Sequence, residues 1–72
     1  MEQEILEIFR MIFNNEEINI HTKKEDIQNW DSMNHLRLIM EIEEVYAIEL
    51  EPEDMVLMNS VQSVLSIVQT KK

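Results

Sequence analysis

Glycine and cysteine are absent from the 72 residues, and proline occurs once. Without cysteine there can be no disulfides and no cysteine-ligated metal site. Without glycine few backbone positions can require positive φ, and a single proline signals few β-turns, so the pattern has to be read as helices. Cations are scarce too: six Lys and Arg stand against fifteen Asp and Glu, a formal net charge of −9. Such a charge repels nucleic acid and anionic lipid and attracts partners with a positive surface. No apolar run approaches the roughly 20 residues that a membrane-spanning helix needs. The amino-terminal stretch MEQEILEIF is acidic and lacks the basic-then-apolar layout of a secretion signal, so a cytoplasmic location without membrane insertion is expected. The length is that of one domain, residues 1–72, and a core of that size supplies only roughly 3–5 kcal/mol of net stability. Little room remains for a buried catalytic cleft, which favours binding or carrying over catalysis.

What is present is helical periodicity. Residues 2–14 carry Ile5, Leu6, Phe9, Ile12 and Phe13 on one stripe of an amphipathic helix, ended by Asn14-Asn15. Residues 15–31 show isolated apolar residues, Ile18, Ile20, Ile27 and Trp30, without a sustained period. They read as a long loop pinned by those side chains, with one helical turn signalled by the capping-box spacing of Thr22-Lys23-Lys24-Glu25. Loops of this length inside a small domain are commonly functional. Residues 32–46 form a second helix behind the N-cap residue Asp31. Pro52, followed by Glu53 and Asp54, starts a short third. Asn59-Ser60 caps a fourth with the stripe Val61, Val64, Leu65 and Val68, and Lys71 and Lys72 fall just past its end, where positive charge meets the negative end of the helix dipole. The expected fold is all-α: a small bundle of three main helices and a short one, with a long loop between the first and second.

The second helix carries apolar residues on two faces. Advancing 100° per residue gathers Leu38, Ile39, Ile42, Val45 and Tyr46 on one side, and Met33, Leu36 and Met40 on nearly the opposite side, flanked by Arg37, Glu41 and Glu44. The second stripe either packs beneath the long loop or forms an exposed, acid-rimmed patch of the kind that marks a docking surface. Charge favours the patch: residues 26–54 hold nine acidic side chains and one basic one, hence eight of the nine net negative charges. Methionine suits a surface that must fit several partners, and the field would speed association with a basic partner.

Ser32 stands where the long loop meets this helix, and unpaired N–H groups together with the positive end of the dipole suit an anion attached there. An Asp-Ser pair alone is more often a simple helix cap. Here it opens the run Asp31-Ser32-Met33-Asn34-His35-Leu36-Arg37-Leu38-Ile39-Met40-Glu41-Ile42-Glu43-Glu44-Val45-Tyr46, which resembles the hallmark segment of acyl carrier proteins. In that family an Asp-Ser-Leu motif opens the second helix, followed by apolar and acidic residues ending near Glu-Glu-x-Phe. Ile48-Glu49-Leu50-Glu51-Pro52-Glu53-Asp54 is similar to the family's loop into helix three, and Asn59-Ser60-Val61-Gln62-Ser63-Val64 to its start of helix four. The resemblance thus covers essentially the whole chain.

The resemblance implies a 4'-phosphopantetheine arm, donated by coenzyme A and esterified to Ser32 by a phosphopantetheinyl transferase that uses a divalent cation. The arm carries acyl groups as thioesters to acyl-transferring, condensing or ligating enzymes with basic docking surfaces. Asp31, Met33, Leu36, Arg37, Met40, Glu41 and Glu44 would form the surface those enzymes recognise. The chain would contribute no catalytic residue and no metal site, and would act as a monomer. Met33 replaces the family's usual Leu, Asn29-Trp30-Asp31-Ser32-Met33 lacks the Gly that often precedes the motif, and Arg37 stands where fatty-acid carriers commonly have Glu. Trp30 is similar to the Trp-Asp-Ser-Leu form of free-standing carriers in specialised pathways. The implied cargo therefore extends beyond fatty-acid biosynthesis to polyketide, modified amino acid or surface polysaccharide pathways.

Other reactive-looking residues have plainer roles. His35 faces the core and should hydrogen-bond the loop; His21 has no ligand partner at metal spacing. Glu49, Glu51, Glu53 and Asp54 lack the glycine that an EF-hand loop requires. Ser60 and Ser63 belong to a helix start, and no pair of acid and base groups converges in the pattern. A rival reading keeps Ser32 as a cap and makes the chain an unmodified acidic helical adaptor for a basic protein.

Overall fold

The computed structural model describes residues 1–71. Helix α1 runs over Glu2–Phe13, and its stripe Ile5, Leu6, Ile8, Phe9, Ile12 and Phe13 is buried. It ends where Asn14 turns into the left-handed region at φ 52°, one of the few conformations of positive φ that asparagine accepts cheaply. Arg10 in the last turn reaches out to the loop, its Nε and Nη2 donating to the Ile18 carbonyl at 3.0 and 2.8 Å.

The long connection is ordered by what it buries. Ile18, Ile27 and Trp30 are buried, while Ile20 is only partly so. Trp30 packs on Phe9 and Phe13 with ring centroids 5.4 and 5.2 Å away, which fastens the end of the loop to α1. The Asn29 side-chain amide adds a bond to the Phe13 carbonyl. The helical turn expected here exists, as a 3₁₀ turn over Lys24–Asp26, but its cap lies one residue later than the spacing implied. The Asp26 carboxylate accepts from the Lys23 N–H, whereas the Thr22 hydroxyl accepts from the Asn19 N–H and closes an earlier turn. Lys23 and Ser60 form an isolated antiparallel bridge, with Lys24 N–H donating to the Asn59 carbonyl and Val61 N–H to that of Thr22. The loop is thereby tied to the start of the last helix.

Helix α2 spans Ser32–Tyr46, α3 Pro52–Leu57 and α4 Val61–Lys71. Helix α3 starts at its proline, and the Asp54 carboxylate accepts from the Glu51 N–H ahead of it. Ser60 and Ser63 cap α4 reciprocally: Ser60 Oγ accepts from Ser63 N–H, and Ser63 Oγ from Ser60 N–H. Lys71 lies inside the last turn of α4, not beyond it, and pairs with Asp54 of α3 at 2.8 Å. The Lys72 expectation falls outside the described residues. The core gathers the α1 stripe, the loop anchors, Leu38, Ile39 and Ile42 of α2, Leu50, Met58, and Val61, Val64 and Val68 of α4. Helix α1 packs on α2 and α4, and α3 on α4.

The expected core face of α2 differs at one end. Val45 is 48 % exposed and lines an open hollow with Glu4, Glu7, Ile8 and Met11 of α1 instead of entering the core. Tyr46 packs against the core instead, while its hydroxyl donates to Glu4 Oε1 at 3.1 Å. Partial burial first, and then the Glu4 carboxylate, push the Tyr46 hydroxyl up to about 12.

Candidate functional site

The amino end of α2 is built by Asp31. Its extended backbone at φ −101° leaves the helix, and its Oδ1 accepts from the Asn34 N–H at 2.9 Å. Asn34 in turn donates to the Asn29 carbonyl, holding the loop against the first turn. Ser32 is the first helical residue and is exposed. With Asn34 N–H taken by Asp31, the amides of Ser32 and Met33 have no intrahelical acceptor, so a phosphate on the Ser32 oxygen would meet free donors and the positive end of a 15-residue helix.

The second apolar stripe does not pack beneath the loop. Met33 is 75 %, Leu36 55 % and Met40 60 % exposed, on a ridge along the solvent face of α2. Arg37 and Glu44 are exposed on the same helix, Glu41 is half-buried, and Asp31 is exposed ahead of its first turn. Arg37 donates to Asn34 Oδ1 at 3.1 Å, which turns its charge toward the Ser32 end.

Two exposed apolar residues of α3 were missed by the sequence reading: Val56, which shares a cleft with Leu36 and Ser32, is 80 % and Leu57 59 % exposed. The signal was there, since Met55, Val56 and Leu57 are consecutive and cover about 200° of a helix, more than one buried side can hold. An open cleft of about 500 Å³ lies between α2 and α3, with Ser32 and Lys24 at its edge and Leu36, Ile39, Val56 and Met58 among its lining. Its chemistry fits a flexible arm anchored at Ser32, being largely apolar and directly beside the hydroxyl.

His35 sets the back of this cleft. Its Nδ1 accepts from Trp30 Nε1 at 2.8 Å, and the indole can only donate. The ring proton therefore resides on Nε2, which donates to the Met55 carbonyl at 3.0 Å. One neutral imidazole joins the loop, α2 and α3, a structural task that agrees with the role expected from sequence. Among the described residues no group of acidic and histidine side chains could hold a metal ion. His21 is exposed, and Asp54 is occupied by Lys71 and by the Glu51 N–H, which together hold its carboxyl below the usual carboxylate range.

A helical bundle with an exposed serine at a helix start and an apolar ridge and cleft beside it has the features of a carrier or an adaptor. No family model and no curated protein matches the sequence. The solved structures do yield matches, among them the solution NMR structure of a holo acyl carrier protein from Geobacter metallireducens. It superimposes with a TM-score of 0.85 at 26 % sequence identity, over 97 % of this chain and 83 % of that one. The resemblance read from Asp31-Ser32 onward thus holds in three dimensions: the fold is that of an acyl carrier protein, a carrier and not an enzyme. No helix among the described residues is long and apolar enough to cross a membrane.

Proposed function

We propose that residues 1–72 form one carrier domain that holds acyl intermediates as thioesters on a 4'-phosphopantetheine arm esterified to Ser32. The observation that carries this reading is the exposed Ser32 hydroxyl at the first position of α2, beside the apolar cleft, in a fold shared with a holo acyl carrier protein. Asp31 orients the helix start, and the free amides of its first turn receive the phosphodiester. When bound, the arm supplies a terminal thiol as the acyl attachment point; the chain's own residues tether, orient and present it. Tethering raises the effective concentration of the acyl group at each enzyme that docks the carrier.

The ridge of Met33, Leu36 and Met40, with Asp31, Glu41 and Glu44 around it, is the surface that a phosphopantetheinyl transferase and the acyl-handling enzymes would contact. Their docking faces would be basic, with an acidic group opposite Arg37. The chain would act as a monomer in the cytoplasm, and Arg37 and Trp30 make service in a dedicated pathway at least as well supported as the housekeeping synthesis of fatty acids.

The test is intact mass after incubation with coenzyme A, a divalent cation and a broad-specificity transferase. We expect the wild-type chain to gain one phosphopantetheine and Ser32→Ala to gain none. An unchanged wild-type mass would overturn the carrier reading and leave the unmodified acidic adaptor, which the same exposed ridge supports.

A further inference from the structure

The cleft beside Ser32 is unlike the rest of the surface in charge. The chain has fifteen Asp and Glu, yet among the described residues none of them lines this cleft, whereas Glu4, Glu7, Glu41 and Glu44 line the hollows on the α1 flank of α2. The charged side chain at its edge is a cation, Lys24. Lys24 belongs to the 3₁₀ turn of the long loop, and its N–H donates to the Asn59 carbonyl at 2.9 Å, which puts Lys24 and Asn59 side by side along the cleft.

Neither side chain is used by the fold. Among the described residues the Lys24 ammonium has no carboxylate in ion-pair range and the Asn59 side-chain amide has no hydrogen bond; the polar contacts of both run through the backbone. The other polar groups of the cleft are already engaged. Both His35 nitrogens are held, by Trp30 and by the Met55 carbonyl, and the Ser32 oxygen is the attachment point itself. A cargo lying here therefore meets apolar walls (Leu36, Ile39, Val56 and Met58) and, at one edge, an unpaired cation beside an amide donor. A purely hydrocarbon chain makes no use of that edge. A carboxylate does, because the ammonium supplies the opposite charge and the Asn59 amide a hydrogen bond. The phosphodiester at Ser32 has less need of either, since the first-turn amides of α2 already face it. In a chain of net charge −9 a free anion is repelled, and a tethered one is held by the effective concentration its tether gives.

We propose, resting on the carrier reading, that Lys24 together with Asn59 is a specificity element of the cleft, and that the cargo it selects is an acyl group bearing a carboxylate beyond its thioester. The experiment loads the full chain, through a broad-specificity transferase, from coenzyme A, glutaryl-coenzyme A and pentanoyl-coenzyme A. The two acyl groups have equal length and differ in the terminal carboxylate. Intact mass reads the loading, and amide chemical shifts and melting temperature are then measured on each form.

The glutaryl form should move the Asn59 side-chain amide and the Lys24 N–H away from their positions in the form that carries the arm alone. It should melt roughly 2–4 °C above the pentanoyl form at low salt, a modest gain because Lys24 is exposed. Lys24→Gln should erase that difference. Lys23→Gln, the same loss of charge at a neighbour that does not line the cleft, should keep it. Equal shifts and melting for the two acyl forms, an equal loss in Lys23→Gln, or the full Lys24 effect already present with the arm alone would each overturn the proposal while leaving the carrier reading intact. A chain that gains no mass overturns both, so the two failures are told apart by the mass.

Discussion

Ala47 ends α2 in the left-handed region at φ 54°, ψ 47°, with its N–H donating to the Glu43 carbonyl. A chain without glycine has to make this turn with a Cβ in place, at a cost of roughly 1–2 kcal/mol, and Asn14 makes the equivalent turn after α1. Glycine would relieve that strain but would lose more entropy on folding, about 0.5–1 kcal/mol. Ala47→Gly should therefore stabilise the chain by about 0.5–1 kcal/mol, seen as a higher urea midpoint at unchanged slope; a lower midpoint would refute the strain. The absence of glycine argued for few positive φ angles, and the described residues have two, both at helix ends. His35 was legible as a structural residue because of its place on the α2 wheel. Its partners, Trp30 and Met55, were not, since they come from a loop and from a helix 20 residues away.

At the scale of elements, α3 is held by few attachments. It has six residues, none of them buried, and its ties include His35 to the Met55 carbonyl and the ion pair of Asp54 with Lys71 on α4. The Lys71 ammonium, and secondarily the Glu51 N–H, lower the Asp54 pKa below its ordinary 3.8. A carboxyl whose folded pKa is depressed contributes stability that is present above the unfolded value and lost as pH falls through the folded one. Lys71→Gln should therefore be less stable than wild type at neutral pH, with the gap closing below about pH 3.8 in a series of urea midpoints. A gap that stays constant across that range would show that Lys71 acts through packing alone. The start of α3 could be read from Pro52 and its acidic first turn. The reach of Lys71 back to Asp54 could not, because it depends on α3 folding against the end of α4.

For the whole molecule the dominant feature is an unbalanced negative charge. Eight of the nine net negative charges fall in residues 26–54, and the described residues have a radius of gyration of only 10.9 Å, close to the Debye length at 0.1 M salt. Raising salt from low to moderate concentration, or adding a divalent cation, should raise the melting temperature, and a flat response would argue against repulsion in the folded state. The helices, the long loop, the two apolar faces of α2 and Ser32 at its head were all written in the sequence, because periodicity, caps and charge act over a few neighbouring residues. Tertiary structure alone decided the rest: that the Met33–Met40 stripe lies open instead of under the loop, that Val45 leaves the core to Tyr46, and that Val56 lines the same cleft as Ser32. Each depends on how far apart two packed helices lie, and that distance is set by the side chains of both together.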